Sequence, residues 1–188
     1  MLNMSRVLIL ALFSWFMMIP ASADTTLLGA DVRYDRKFDF SQLNNKYQWI
    51  KRKDSSREYY ASTDPDINEY FLSVVNQHLA AKGFQQAHDG SASFGIDYEV
   101  VVKQEGTGAS LQSTLQDLRK KRYSKSHIPA LPNIENMKSG SIILNIMDME
   151  SGYLIWIGHA EAIVVEKENR EELIDQFVSK IMEEFPPK

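Results

Sequence analysis

Two adjacent strand-like stretches and the turn between them constrain the fold of this chain more than any other feature. Ile142 to Asp148 alternates as a strand, Met149-Glu150-Ser151-Gly152 reads as a turn, and Tyr153 to Ala160 reads as a second strand. Such a hairpin commits the chain to an antiparallel pair whose apolar side must be buried under another layer. Strict alternation puts Leu154 and Trp156 on one face and Tyr153, Ile155 and Ile157 on the other. Both faces are then apolar, so Trp156 is expected in a core. The second face then needs a cover, from elsewhere in the chain or from a partner protein. Asp148 and Glu150 flank the turn, where a carboxylate commonly accepts from turn amides.

The remaining periodicities supply that other layer. Asp64-Pro65 is a helix-start signal, and Ile67, Phe71, Val74, His78 and Leu79 follow on one face until Gly83 ends the helix, with Phe84 closing back on Leu79. A second helix is expected from the Asn169 and Glu172 capping spacing, through the apolar stripe Leu173, Ile174, Phe177, Val178, Ile181 and Phe185, to Pro186-Pro187. Ala30 to Arg36, Tyr47 to Ile50 and Ser93 to Lys103 read as further strands, and Asp39 to Leu43 as a single helical turn. Lys51 to Ser62 reads as a solvated charged loop. The pattern predicts one α+β domain, a two-layer sandwich with a mainly antiparallel sheet of about five strands and two helices on one face.

The first 23 residues read as a cleaved secretory signal: Arg6, a 13-residue apolar run from Val7 to Ile19, then Pro20-Ala21-Ser22-Ala23. That run is shorter than the roughly 20 apolar residues a membrane-spanning helix needs. The mature domain is expected to span 24–188, soluble and periplasmic. With no cysteine in the chain, disulfides, thiolate metal sites and the lipid anchor of bacterial lipoproteins are all excluded. Loss of Arg6 moves the net charge from -4 to -5, a balance that speaks against nucleic acid as partner.

Against that acidic background stands a basic, irregular insertion at 104–137, interrupted by Gly106, Gly108, Pro129 and Pro132. Leu111, Leu115 and Leu118 suit a short amphipathic helix ending in Arg119-Lys120-Lys121-Arg122. From Lys103 to Lys138 there are seven basic and three acidic residues. Arg119, Lys120, Lys121, Arg122 and Lys125 therefore form the candidate interaction surface, for an envelope protein or an anionic envelope polymer. The alternative is an excursion whose charge rests against the protein's own acidic body.

No arrangement of groups announces catalysis, and no cofactor is implied. His78, His88, His127 and His159 have no close metal-binding spacing. His159 and Glu161 share a strand face and could join a metal or acid-base site, so a metal-dependent enzyme or hydrolase is an alternative to the interaction role. A small-ligand carrier is a third. Gly90-Ser91-Ala92-Ser93-Phe94-Gly95 has the wrong spacing for a nucleophile elbow, and Gly106-Thr107-Gly108 does not open a phosphate loop.

Four stretches in the same order resemble one bacterial family. They are Asp31 to Asp35 with Asp39-Phe40-Ser41 and Tyr47-Gln48-Trp49; Ala80-Ala81-Lys82-Gly83-Phe84; Ile146 to Ala160; and Ile181 to Pro187. Together they are similar to the domain of unknown function 4136 family. The resemblance spans the mature chain except the basic insertion. It implies a Gram-negative envelope protein without an assigned activity. Members are largely lipoproteins, and this chain departs from them by lacking the anchor cysteine.

Overall fold

The computed structural model describes residues 27–50, 65–101, 117, 120–128, 141–162 and 170–188. The signal at 1–23, the charged loop 51–62, the leucine stripe with Arg119, and Asn169 lie outside the described residues.

Strand β1 (Leu27–Tyr34) is followed by a 3-10 turn (Phe40–Gln42), β2 (Lys46–Trp49), helix α1 (Pro65–Ala81), β3 (Gln85–Gln86), β4 (Phe94–Val101), β5 (Ser141–Asp148), β6 (Leu154–Ala162) and helix α2 (Arg170–Met182). The sheet order is β1-β6-β5-β4-β2-β3. Pairs β1–β6, β6–β5 and β5–β4 are antiparallel, whereas β4–β2 and β2–β3 are parallel. The expected mainly antiparallel five-strand sheet with two helices is therefore replaced by a mixed six-stranded sheet with three helical elements. The physical reason lies in α1. A parallel pair needs a crossover connection, and α1 is that crossover between β2 and β3. Gln85–Gln86 is too short and too polar to carry a strand periodicity.

Both α-helices form where the 3.6-residue apolar period places them. At the end of α1, Phe84 N donates to Leu79 O at 2.9 Å and Gly83 N to Ala80 O at 2.9 Å, the two bonds of a Schellman motif. Phe71, Val74, Val75 and Leu79 are buried on its inner side. Helix α2 buries Leu173, Ile174, Phe177, Val178, Ile181 and Met182. At roughly 1.5–3 kcal/mol per large apolar side chain, this burial outweighs any intrinsic propensity of a 13-residue helix. Across the helix pair, the Tyr70 hydroxyl donates to Asp175 Oδ2 at 2.9 Å. That bond, with burial and nearby carboxylates, pushes the Tyr70 phenol up.

The larger core lies between these helices and one face of the sheet. Register places Tyr34, Trp156, Ile146, Ile96 and Trp49 in one row across five strands. Trp156 is fully buried, as the sequence predicts, with its ring edge-on to Phe185 at 5.4 Å. Gly158 makes that possible. A Cβ there would run into the Trp156 ring and come within 2.9 Å of the Ile181 Cβ. The other end of the sheet is tied to α1 through Asn76, whose Oδ1 accepts from the Tyr47 hydroxyl at 2.7 Å and from Trp49 Nε1 at 3.0 Å.

Candidate functional site

The cover of the second sheet face comes from the basic insertion itself. Residues 120–122 are helical, and Tyr123 to Ile128 continue as a strap. Tyr123, Ile128, Ile143, Leu154 and Ile157 form a second buried apolar cluster beneath it, with Met147 at its margin. Strand β5 is buried on both faces from Ser141 to Ile146, as a strand sandwiched between two covers must be.

The strap also corrects the alternation expected at Trp156. Ile146 pairs with Trp156 and Met147 with Leu154, so Ile155 is an extra residue in β6. This bulge resets the two-residue period. Ile155 joins Trp156 in the helix-side core, while Leu154 joins Ile157 under the strap.

Under the strap lie buried polar groups that alternation alone would leave in solvent. Asp97 and Glu99 point to the second face of β4 and are 5% and 0% exposed. The Tyr123 hydroxyl lies 2.7 Å from Asp97 Oδ2 and 3.2 Å from Glu99 Oε1, and Asn145 Nδ2 donates to Glu99 Oε1 at 3.2 Å. One hydroxyl carries one proton, so the shorter contact, to Asp97, is the donated bond. Buried carboxylates are tolerated only with such partners. The strap is thus part of what lets β4 keep two acids inside.

At its far end the strap takes over where β1 leaves the sheet. Leu154 N donates to Lys125 O at 3.0 Å and Ser126 bridges to Leu154 in parallel sense. His127 Nδ1 lies 2.9 Å from Asp35 Oδ2 and its ring 4.9 Å from Tyr153. Asp35 is 5% exposed and its other oxygen accepts from Lys37 N at 2.9 Å. This latch borders an open cleft of about 560 Å³, lined also by Phe38, Asp148, Glu150 and Ser151. Asp148 serves the turn as expected: its Oδ2 accepts from Ser151 N at 2.8 Å and from the Ser151 hydroxyl. Gly152, at φ 71°, completes the turn by donating to Asp148 O at 3.0 Å.

An imidazole oriented by a buried carboxylate is an acid-base pair in type. The Ser151 hydroxyl, which lines the same cleft, is committed to Asp148.

Of the five cations read from the sequence, four lie among the described residues. Lys120, Lys121 and Lys125 are exposed, with Lys120 Nζ 3.6 Å from Asp117 Oδ1. Arg122 is half-buried, its Nη1 enclosed and its guanidinium carbon 6.0 Å from the Tyr123 ring centre. Arg119 lies outside the described residues. The expected pair His159 and Glu161 does meet, Nε2 to Oε1 at 3.5 Å. Among the described residues no third histidine or carboxylate joins them in a group able to hold a metal. Sequence reasoning missed Asp35, Asp97, Glu99 and Tyr123. The only available signal was a pair of carboxylates on the off-face of an otherwise apolar strand.

Among the described residues no helix is long and apolar enough to cross a membrane. No curated protein matches the chain. A PDZ domain protein from Parabacteroides distasonis aligns with 89% of this chain at 11% identity and a TM-score of 0.49, and the chain spans only 38% of that protein. Two crystal forms of the PelC dodecamer from Paraburkholderia phytofirmans align with TM-scores of 0.46 and 0.41, at 11% and 12% identity. They cover 82% and 73% of this chain and 95% and 86% of theirs. The family model described as Domain of unknown function (DUF4136) matches residues 30–187, and the chain belongs to that family.

Proposed function

We propose that this chain is an exported domain of the bacterial cell envelope that works by binding, through the exposed lysines of its strap, rather than by catalysis. One observation carries the reading. Three groups with chemical potential around the cleft and under the strap are engaged in holding the structure: His127 with Asp35, the Ser151 hydroxyl with Asp148, the Tyr123 hydroxyl with Asp97. Lys120 and Lys121 stand exposed on the helical turn that leads into the strap and Lys125 on the strap itself, with Lys120 Nζ 3.6 Å from Asp117 Oδ1. Held cations on a protein of net charge -4 suit an anionic envelope polymer or an acidic envelope protein. The N-terminal signal supports the periplasmic side of the envelope as the place of action.

The test is crosslinking in native envelope preparations, comparing the natural chain with the triple variant Lys120→Glu, Lys121→Glu, Lys125→Glu. Substitution is the right perturbation because deleting the strap would remove Tyr123 and Ile128 from the second core. A reproducible adduct that the triple variant loses is the expected result. Identical adducts from both proteins, or none from either, would refute the reading.

A second reading, an enzyme using an acid-base pair, is favoured by the Asp35-oriented imidazole on the cleft. It requires an activity, found with a panel of ester and amide substrates, that His127→Ala abolishes while the fold is retained.

A further inference from the structure

We infer that β1 is a self-association edge, where two copies of this chain pair antiparallel about a two-fold axis through Val32 and join their sheets. Strand β1 is the outer strand of the sheet, bonded to β6 on one side. Natural edge strands are usually blunted by charged side chains, lysine above all, by proline or by a central bulge, and the two charges of β1, Asp31 and Arg33, are of opposite sign, so a second copy can pair them. The sequence of β1, LLGADVRY, has neither lysine nor proline, and its one irregularity lies between Leu27 and Gly29, away from the regular stretch 30–34.

The ladder decides which groups face outward. Asp35 N donates to Ile155 O at 2.9 Å, which continues the β1–β6 register beyond Tyr34 and Trp156. In an antiparallel ladder hydrogen-bonded pairs alternate, so Arg33 and Asp31 turn their backbone groups to β6, and Ala30, Val32 and Tyr34 present theirs to the free edge. A two-fold axis sets one residue opposite its own copy. With the axis at Val32, Val32 pairs with itself and Ala30 with Tyr34 of the other copy, using all three outward residues in about six hydrogen bonds.

Charge selects this register over its neighbours. Asp31 and Arg33 project from the same face, with Arg33 Nε 2.6 Å from Asp31 Oδ2 within the strand and side chains 49% and 39% exposed. About Val32, Asp31 of each copy stands opposite Arg33 of the other, in the closely spaced non-hydrogen-bonded pairs. Moving the axis to Asp31 or to Arg33 sets like charges opposite each other. The pairing is independent of what the strap lysines bind.

Two measurements on purified protein test it. The chain has no cysteine, so introduced thiols report pairing directly. Mixing an Asp31→Cys protein with an Arg33→Cys protein under mild oxidation should give the mixed disulfide, in excess over the disulfide either protein forms alone. In sedimentation, Asp31→Arg and Arg33→Asp should each weaken association by roughly tenfold or more, and the double swap should restore it. Asp31 is exposed and Arg33 half-buried, so circular dichroism of each variant accompanies the sedimentation, and the thiol pairing gives a readout that needs no charge reversal. A natural chain that stays monomeric at about 100 µM, single reversals that associate like the natural chain, or thiols that link 31 to 31 as readily as 31 to 33 would each overturn the inference.

Discussion

Replacing Tyr123 with phenylalanine isolates the claim that the strap is structural, because it removes one oxygen and leaves the ring. The lost group donates at 2.7 Å to Asp97 and sits 3.2 Å from Glu99, in a site where these residues are 5% and 0% exposed. A hydrogen bond to a charged acceptor contributes about 1.5–3 kcal/mol, and burial places this one toward the upper end. An opposing effect exists, since removing the hydroxyl also relieves its crowding against Glu99. That contact is longer and is not the donated bond, so the loss prevails and a net cost of about 2–3 kcal/mol is expected. For a chain of this size that lowers the melting temperature by roughly 4–12 °C. Urea titration followed by tryptophan fluorescence and circular dichroism measures it, with an unchanged slope showing that the same surface unfolds. Adding Asp97→Asn in a double-mutant cycle should return a coupling of about 1–2 kcal/mol. A Tyr123→Phe cost under about 0.5 kcal/mol with no coupling would show that the strap is not seated on the acids.

Gly158→Ala should cost about 1–3 kcal/mol in the same titration, because its Cβ meets the Trp156 ring and Ile181, and a tryptophan emission shift should report the displaced ring. His127→Ala removes the latch to Asp35 and should cost about 1 kcal/mol, while raising the rate of limited proteolysis between Tyr123 and Ile128. The Asp39 carboxyl is held below the usual range, first by the Ser41 hydroxyl, then by the Ser41 amide and Gln42. A depressed folded value means its contribution is present above the unfolded value and is lost as pH falls through the folded one. Asp39→Asn should therefore flatten the acid dependence of the urea midpoint below about pH 4.

The residues of the two helices and the β5–β6 hairpin carry their own instructions. The apolar spacing of α1, its Gly83 exit, the stripe from Leu173 to Phe185 and the Asp148 to Gly152 turn are local signals, and each appears where the sequence places it. The parallel pairing of β2 has no such signal, since it depends on where α1 delivers Gln85 and Gln86. The same is true of the candidate site. Asp97 and Glu99 look solvent-facing along β4, and only the arrival of Tyr123 from 26 and 24 positions away makes them interior. His127 and Asp35 are 92 positions apart and meet because the strap takes the place β1 vacates beside β6.

By itself, then, the sequence determined the family, the two helices and the late hairpin, because periodicity, caps and turn chemistry act over a few residues. Tertiary structure alone decided that residues 120–128 of the basic insertion are a cover, that Arg122 turns inward while three lysines remain outside, and that the bulge at Ile155 sends Leu154 and Trp156 to opposite faces. Those outcomes depend on which distant surfaces compete for the same apolar and polar groups, and no local pattern records that competition.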